Sequence, residues 1–167
     1  PNTGNMSIFR SSRDAVITKS IYLRIPVLVQ EVTPPHNLWN ITFLRMFDMA
    51  NDSDSFRSMD TMTVTNCQRI GLHYDCPDSA YLALYEAKMV HYYDHRYGDY
   101  LDYPEGALTS HLPDIPVSRL KDAGYSITPR YWVESSEVYK RLSNRSWEHQ
   151  WLLGWRKIAR NSDERTF

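Results

Sequence analysis

Chemistry concentrates in one stretch of the chain, Leu84-Tyr85-Glu86-Ala87-Lys88-Met89-Val90-His91-Tyr92-Tyr93-Asp94-His95-Arg96-Tyr97. Lysine, arginine and histidine can meet phosphate oxygens and base edges, and tyrosine offers a stacking face and a hydroxyl. The mixture therefore suits a nucleic-acid surface. The plainer reading of the same residues is an exposed, tyrosine-rich edge strand. Aromatic and basic residues interleave again near the C-terminus, where Arg156, Lys157, Arg160 and Arg165 follow Trp151-Leu152-Leu153-Gly154-Trp155. Candidate nucleic-acid contacts are Lys88, His91, Tyr92, His95, Arg96, Trp155, Arg156, Lys157 and Arg160.

Two further chemistries fit subsets of these residues. Pro77-Asp78 followed by Glu86-Ala87-Lys88 has the order of a PD-(D/E)xK nuclease, in which two carboxylates hold Mg²⁺ and a lysine positions the attacking water. The spacer between them is short for that core. His91 and His95, with His73 and Cys76 upstream, could ligate zinc if residues 91–95 were helical. The strand expected to lead into them argues otherwise. The six glycines are ungrouped, so no phosphate loop is present. Thr33-Pro34-Pro35-His36 lacks the amide or carboxylate that would accept from an adenine amino group. No catalytic, cofactor or metal residue is therefore assigned to this chain.

The elements that must position these residues are short. Ser11 or Ser12 with Asp14 opens a helix over 13–24 that Pro26 stops. Val27-Leu28-Val29 and residues 39–44 read as strands, and residues 51–55 as a polar loop. Residues 61–69 read as a strand turned by Asn66, and 80–85 as the strand that delivers the central stretch. Residues 106–128 read as loop with a short helical pattern at 117–123. Strand 130–133, helix 135–142 opened by Ser135 or Ser136, and strand 151–158 complete an expected α+β module of mixed short strands with a few flanking helices. It is read as one compact domain, 1–167.

With 19 Lys and Arg against 20 Asp and Glu, contact with nucleic acid must come from a local patch and not from the net field. No apolar run reaches the length of a membrane span, and the N-terminus lacks the order of a signal peptide, so the chain reads as cytoplasmic. Cys67 and Cys76 are the two cysteines, and two without a framework spacing read as reduced thiols. The start at Pro1 without methionine reads as a piece excised from a longer protein.

A resemblance joins these parts. Pro1-Asn2-Thr3, Phe9-Arg10-Ser11-x-Arg13-Asp14-Ala15, Phe43-x-x-Met46-Phe47-Asp48-Met49-x-Asn51-Asp52-Ser53, Leu84-Tyr85-Glu86-x-Lys88-Met89, Tyr93-Asp94-His95-Arg96 and Trp151-Leu152-Leu153-Gly154-Trp155-Arg156-x-Ile158-Ala159-Arg160 with Glu164-Arg165-Thr166 span nearly the whole chain. Together they resemble the region after the catalytic domain in large bacterial adenine-specific DNA methyltransferases, the Eco57I-like and phage-defence (DISARM-type) restriction-modification enzymes. The family usually has Tyr-Glu-Gly-Lys-Met where this chain has Ala87, within a target-recognition region of the TaqI-like kind. The resemblance implies a non-catalytic part that holds double-stranded DNA. A missing N-terminal domain of the same chain would bind S-adenosylmethionine, flip the adenine and methylate N6. The alternatives are the Mg²⁺-dependent nuclease and a structural connector between the catalytic and specificity domains.

Overall fold

The computed structural model describes residues 8–34, 36–104 and 111–155. The chain falls into two units, Pro1–Arg45 and Met46–Phe167.

In the first unit, α1 (Ser12–Arg24) forms where the sequence predicts it. The Ser11 side chain accepts from the Asp14 amide, Asp14 lies in the first turn and Arg24 in the last, so the cap and the helix dipole are both satisfied. The helix ends at Ile25, which is extended, as a residue preceding proline must be. The strands expected at 27–29 and 39–44 do not form. An isolated bridge joins Gln30 to His36. Asn37 brackets Ile41, donating to its carbonyl at 2.8 Å and accepting from its amide at 2.9 Å. Such a side-chain-to-backbone pair competes with a ladder, and a β-prone run without a partner strand stays irregular.

The second unit is built on an antiparallel sheet of five strands, β1 (Phe56–Arg57), β2 (Gln68–Ile70), β3 (His73–Asp75), β4 (Ala80–Leu84) and β5 (Tyr131–Glu134), in the order β1-β5-β4-β3-β2. With its helices this makes the fold α+β. Trp132 of β5 is fully buried and meets Tyr74 edge-on at 5.1 Å, with Met62 completing the cluster. β4 and β5 form where the sequence predicts strands, and α5 (Ser135–Ser143) where it predicts a helix. The Arg141 guanidinium of α5 lies 4.2 Å from the Phe47 ring centroid and donates to Asp52 Oδ1 at 2.7 Å and to the Met46 carbonyl at 2.6 Å. This contact holds the Asp52 carboxyl below the usual range.

Other expectations change. The polar run 51–55 is not a loop but α2 (Met49–Asp52), capped by Asp48, followed by a 3-10 turn over Ser53–Ser55. Residues 61–69 are not one strand: α3 (Met59–Val64), capped by Ser58, ends before Asn66, whose φ of 54° makes the predicted turn into β2. The threonines there bond back along the helix, Thr63 to the Met59 carbonyl and Thr65 to that of Thr61, both at 3.0 Å, so a β-prone run is held helical. Residues 151–155 form no strand, and 156–158 lie outside the described residues.

Cys67 and Cys76 are not free thiols but a disulfide. The β2–β3 register, Gln68 to Asp75 and Ile70 to His73, places Cys67 opposite Cys76. Their amides donate elsewhere, to the carbonyls of Met62 and Ser79. The two therefore face each other without a mutual backbone bond, the arrangement in which opposed side chains lie closest. Gly71, at φ 60°, is the first of the two residues joining the strands. A two-residue hairpin with a positive φ at that position favours glycine.

Candidate nucleic-acid interface

β4 ends at Leu84 and delivers the chain to Glu86, which opens a 3-10 turn over Ala87–Met89. The right-handed turn asks for no positive φ, so Ala87 is accommodated without backbone strain where the resembling family has glycine. Met89 is fully buried and anchors the turn in a second core with Ile115 and Ile127, against which Tyr100, Leu112, Leu120 and Tyr125 pack. Gly98 returns the chain past this turn, its amide donating to the Met89 carbonyl at 3.3 Å. A Cβ on Gly98 would sit 3.0 Å from the Leu112 Cβ and 3.3 Å from the Lys88 carbonyl, so a larger residue would push this return outward.

Between these anchors the chain makes a two-residue hairpin. His91 and Asp94 exchange backbone bonds of 2.8 and 3.0 Å, with Tyr92 and Tyr93 at the tip. Tyr93 has φ 62° and is 79% exposed. A positive φ at the second tip residue belongs to a type II turn, which favours glycine or asparagine there. An aromatic residue in that conformation costs about 1–2 kcal/mol. The His91 ring lies 4.9 Å from that of Tyr97 and 5.6 Å from that of Tyr92. His95 is exposed.

The two strongest cations of the motif are engaged by the protein itself. Lys88 Nζ is 3.7 Å from Glu86 Oε2 and lies 5.1 and 5.8 Å from the ring centroids of Tyr100 and Tyr103. The Tyr100 hydroxyl donates to the same Glu86 oxygen at 2.8 Å. Burial and then this carboxylate push the Tyr100 phenol well up. Arg96 donates to the carbonyls of Leu120 at 3.1 Å and Asp122 at 3.2 Å, closing the stretch onto α4 (Val117–Leu120). Below it, buried Asp99 accepts from the Tyr125 hydroxyl and from the Leu101 amide. Burial and Asp99 push the Tyr125 phenol up to about 12.

The structure thus brings Lys88, His91, Tyr92, His95 and Arg96 onto one looped segment. Trp155 is exposed in the C-terminal stretch. Arg156, Lys157 and Arg160 lie outside the described residues. Sequence reasoning missed Tyr93 as the tip residue. It also missed the ring group of Trp147, His149 and Trp151, in which His149 lies stacked on Trp151 at 5.4 Å and 19°. The Trp-x-His-x-Trp alternation was the available signal. Residues 91–94 form a hairpin and not a helix, so His91 and His95 are not arranged as helical zinc ligands. Among the described residues no group of three His, Cys, Asp or Glu could hold a metal ion. Among them, too, no helix is long and apolar enough to cross a membrane. No family model, curated protein or solved structure matches the chain.

Proposed function

We propose that this chain is the non-catalytic DNA-holding part of a bacterial adenine-N6 DNA methyltransferase of a restriction-modification or phage-defence system, acting in the cytoplasm. S-adenosylmethionine and the methyl transfer would belong to a preceding domain of the same chain. Support comes from the quoted sequence motifs together with the composition of the 84–97 segment. The observation that carries it is Tyr93, a large ring displayed at a turn position that favours glycine. Backbone strain of this kind is retained where the side chain has work to do. In this reading the ring of Tyr93, with His95 beside it, lies against the duplex.

The test is duplex binding by the chain at two salt concentrations, with Tyr93→Gly alongside. Glycine keeps the turn and removes the ring. Loss of this contact should weaken binding about tenfold, roughly 1.4 kcal/mol. Unchanged affinity at both salts would remove the reading. The connector reading is favoured by Arg96, whose guanidinium braces backbone carbonyls. It predicts that no substitution in residues 91–97 alters DNA affinity per folded molecule.

A further inference from the structure

We infer that the Cys67–Cys76 disulfide is a redox-operated latch on the edge of the sheet, and that opening it loosens the brace beneath residues 86–100. The inference uses the geometry of the second unit and goes beyond the DNA reading. β2 is an edge strand paired through three residues to β3. Besides that ladder and the bond from the Cys67 amide to the Met62 carbonyl at 3.2 Å, two things hold it. One is the disulfide at its first end. The other is Arg69, in its middle.

Arg69 reaches away from the strand. Its guanidinium donates to the Thr128 hydroxyl at 3.0 Å, to the Ile127 carbonyl at 2.9 Å and to the Ser126 carbonyl at 3.3 Å, while Nε donates to the Gly71 carbonyl at 3.0 Å. Thr128 is buried, and its carbonyl accepts from the Tyr100 amide at 2.8 Å. Tyr100 in turn holds Glu86 through its hydroxyl and Lys88 through its ring face. A continuous set of bonds therefore runs from the cysteine pair through Arg69 and Thr128 to the candidate interface. With the disulfide open, the first end of β2 keeps the Cys67 amide bond alone, and the origin of the fork is held less firmly.

The chemistry needs a dithiol reductant. Its thiolate attacks one Sγ, the Sγ–Sγ bond breaks, and the second thiol of the reductant displaces the first sulfur. Two electrons and two protons pass to Cys67 and Cys76, and the reductant leaves as its own disulfide. A small-molecule disulfide runs the exchange backwards. Cys67 and Cys76 are half-buried at the open end of the β2–β3 hairpin, packed on one side against the Trp132 cluster and reached by a small thiol from the other.

Amide hydrogen exchange on the full chain tests this, comparing oxidised protein, protein in dithiothreitol, and a Cys67→Ser/Cys76→Ser variant. In both opened forms the amides of 68–75 and of Tyr100 should exchange about tenfold faster, while those of β1 and α5 keep their rates. If the serine variant fails to fold, the reduced wild-type protein carries the comparison. Acceleration confined to 68–75 would overturn the latch, because the bond would then close the hairpin and nothing more. Unfolding of the whole chain on reduction would overturn it too, as would two free thiols by mass in the air-oxidised protein.

Discussion

The two cores of the second unit are made differently. Around Trp132 the backbone is regular: β4 and β5 pair through four residues, and the buried cluster of Met62, Tyr74 and Trp132 fills one face of a laddered sheet. Around Met89 the backbone is looped, and carbonyls that a strand would satisfy along its length are reached by long side chains. Arg69 serves the carbonyls of Ser126 and Ile127, and Arg96 those of Leu120 and Asp122. A basic residue in such a loop is as much a structural donor as a candidate ligand for phosphate, because an unpaired buried carbonyl is costly. What the looped core leaves outward is aromatic and imidazole: Tyr93, His95 and, at 46% exposure, Tyr97.

The comparison can be broken most sharply at its apolar centres. Trp132→Ala should destabilise the protein by about 3–5 kcal/mol and Met89→Ala by about 2–5 kcal/mol. Hydrogen exchange then separates them: the first should expose the sheet amides, the second the amides of 86–100 ahead of the sheet. Equal exposure of both regions by either variant would show one core and not two. Arg96→Ala comes next, at about 0.5–1.5 kcal/mol, because it removes the donor to the part-buried Leu120 carbonyl, while the exposed Asp122 carbonyl keeps the Tyr125 amide. Denaturant midpoints with an unchanged slope would check it. Tyr93→Gly should go the other way, raising stability by about 0.5–1 kcal/mol as the positive φ is relieved against the extra freedom of glycine when unfolded.

Much of this was legible where one residue type dictates geometry. Ser11 with Asp14, Pro26, Asn66 and the apolar run of β4 acted locally, and each gave its element or turn. Regions decided by partners far along the chain were not legible. The β-branched threonines of α3 favoured a strand until their hydroxyls found carbonyls one turn back. The disulfide needed the β2–β3 register, which the single-strand reading of 61–69 had erased. The candidate site was legible in composition but not in use, since nothing in the order Lys88…Arg96 says that the guanidinium turns towards residue 120.

A smaller effect probes the regular core through charge. The lowered Asp52 carboxyl favours the folded state above the ordinary carboxylate pKa of about 4, and that contribution fades as pH falls through the lowered folded value. Asp52→Asn should therefore melt below the wild type at neutral pH and converge with it in acid. No gap at neutral pH would mean that Arg141 holds the helix end through the Met46 carbonyl alone, and a gap that persists in acid would mean that Asp52 acts other than through its charge.

The central claim is that in the looped core the guanidinium supports the fold and the tip tyrosine meets the ligand. Melting temperature and duplex-DNA affinity measured on the same samples of Arg96→Ala and Tyr93→Gly test it most directly. The account predicts a lower melting temperature with unchanged affinity per folded molecule for Arg96→Ala, and a higher melting temperature with weakened affinity for Tyr93→Gly. Weakened affinity without loss of stability in Arg96→Ala, beside normal binding by Tyr93→Gly, would contradict it.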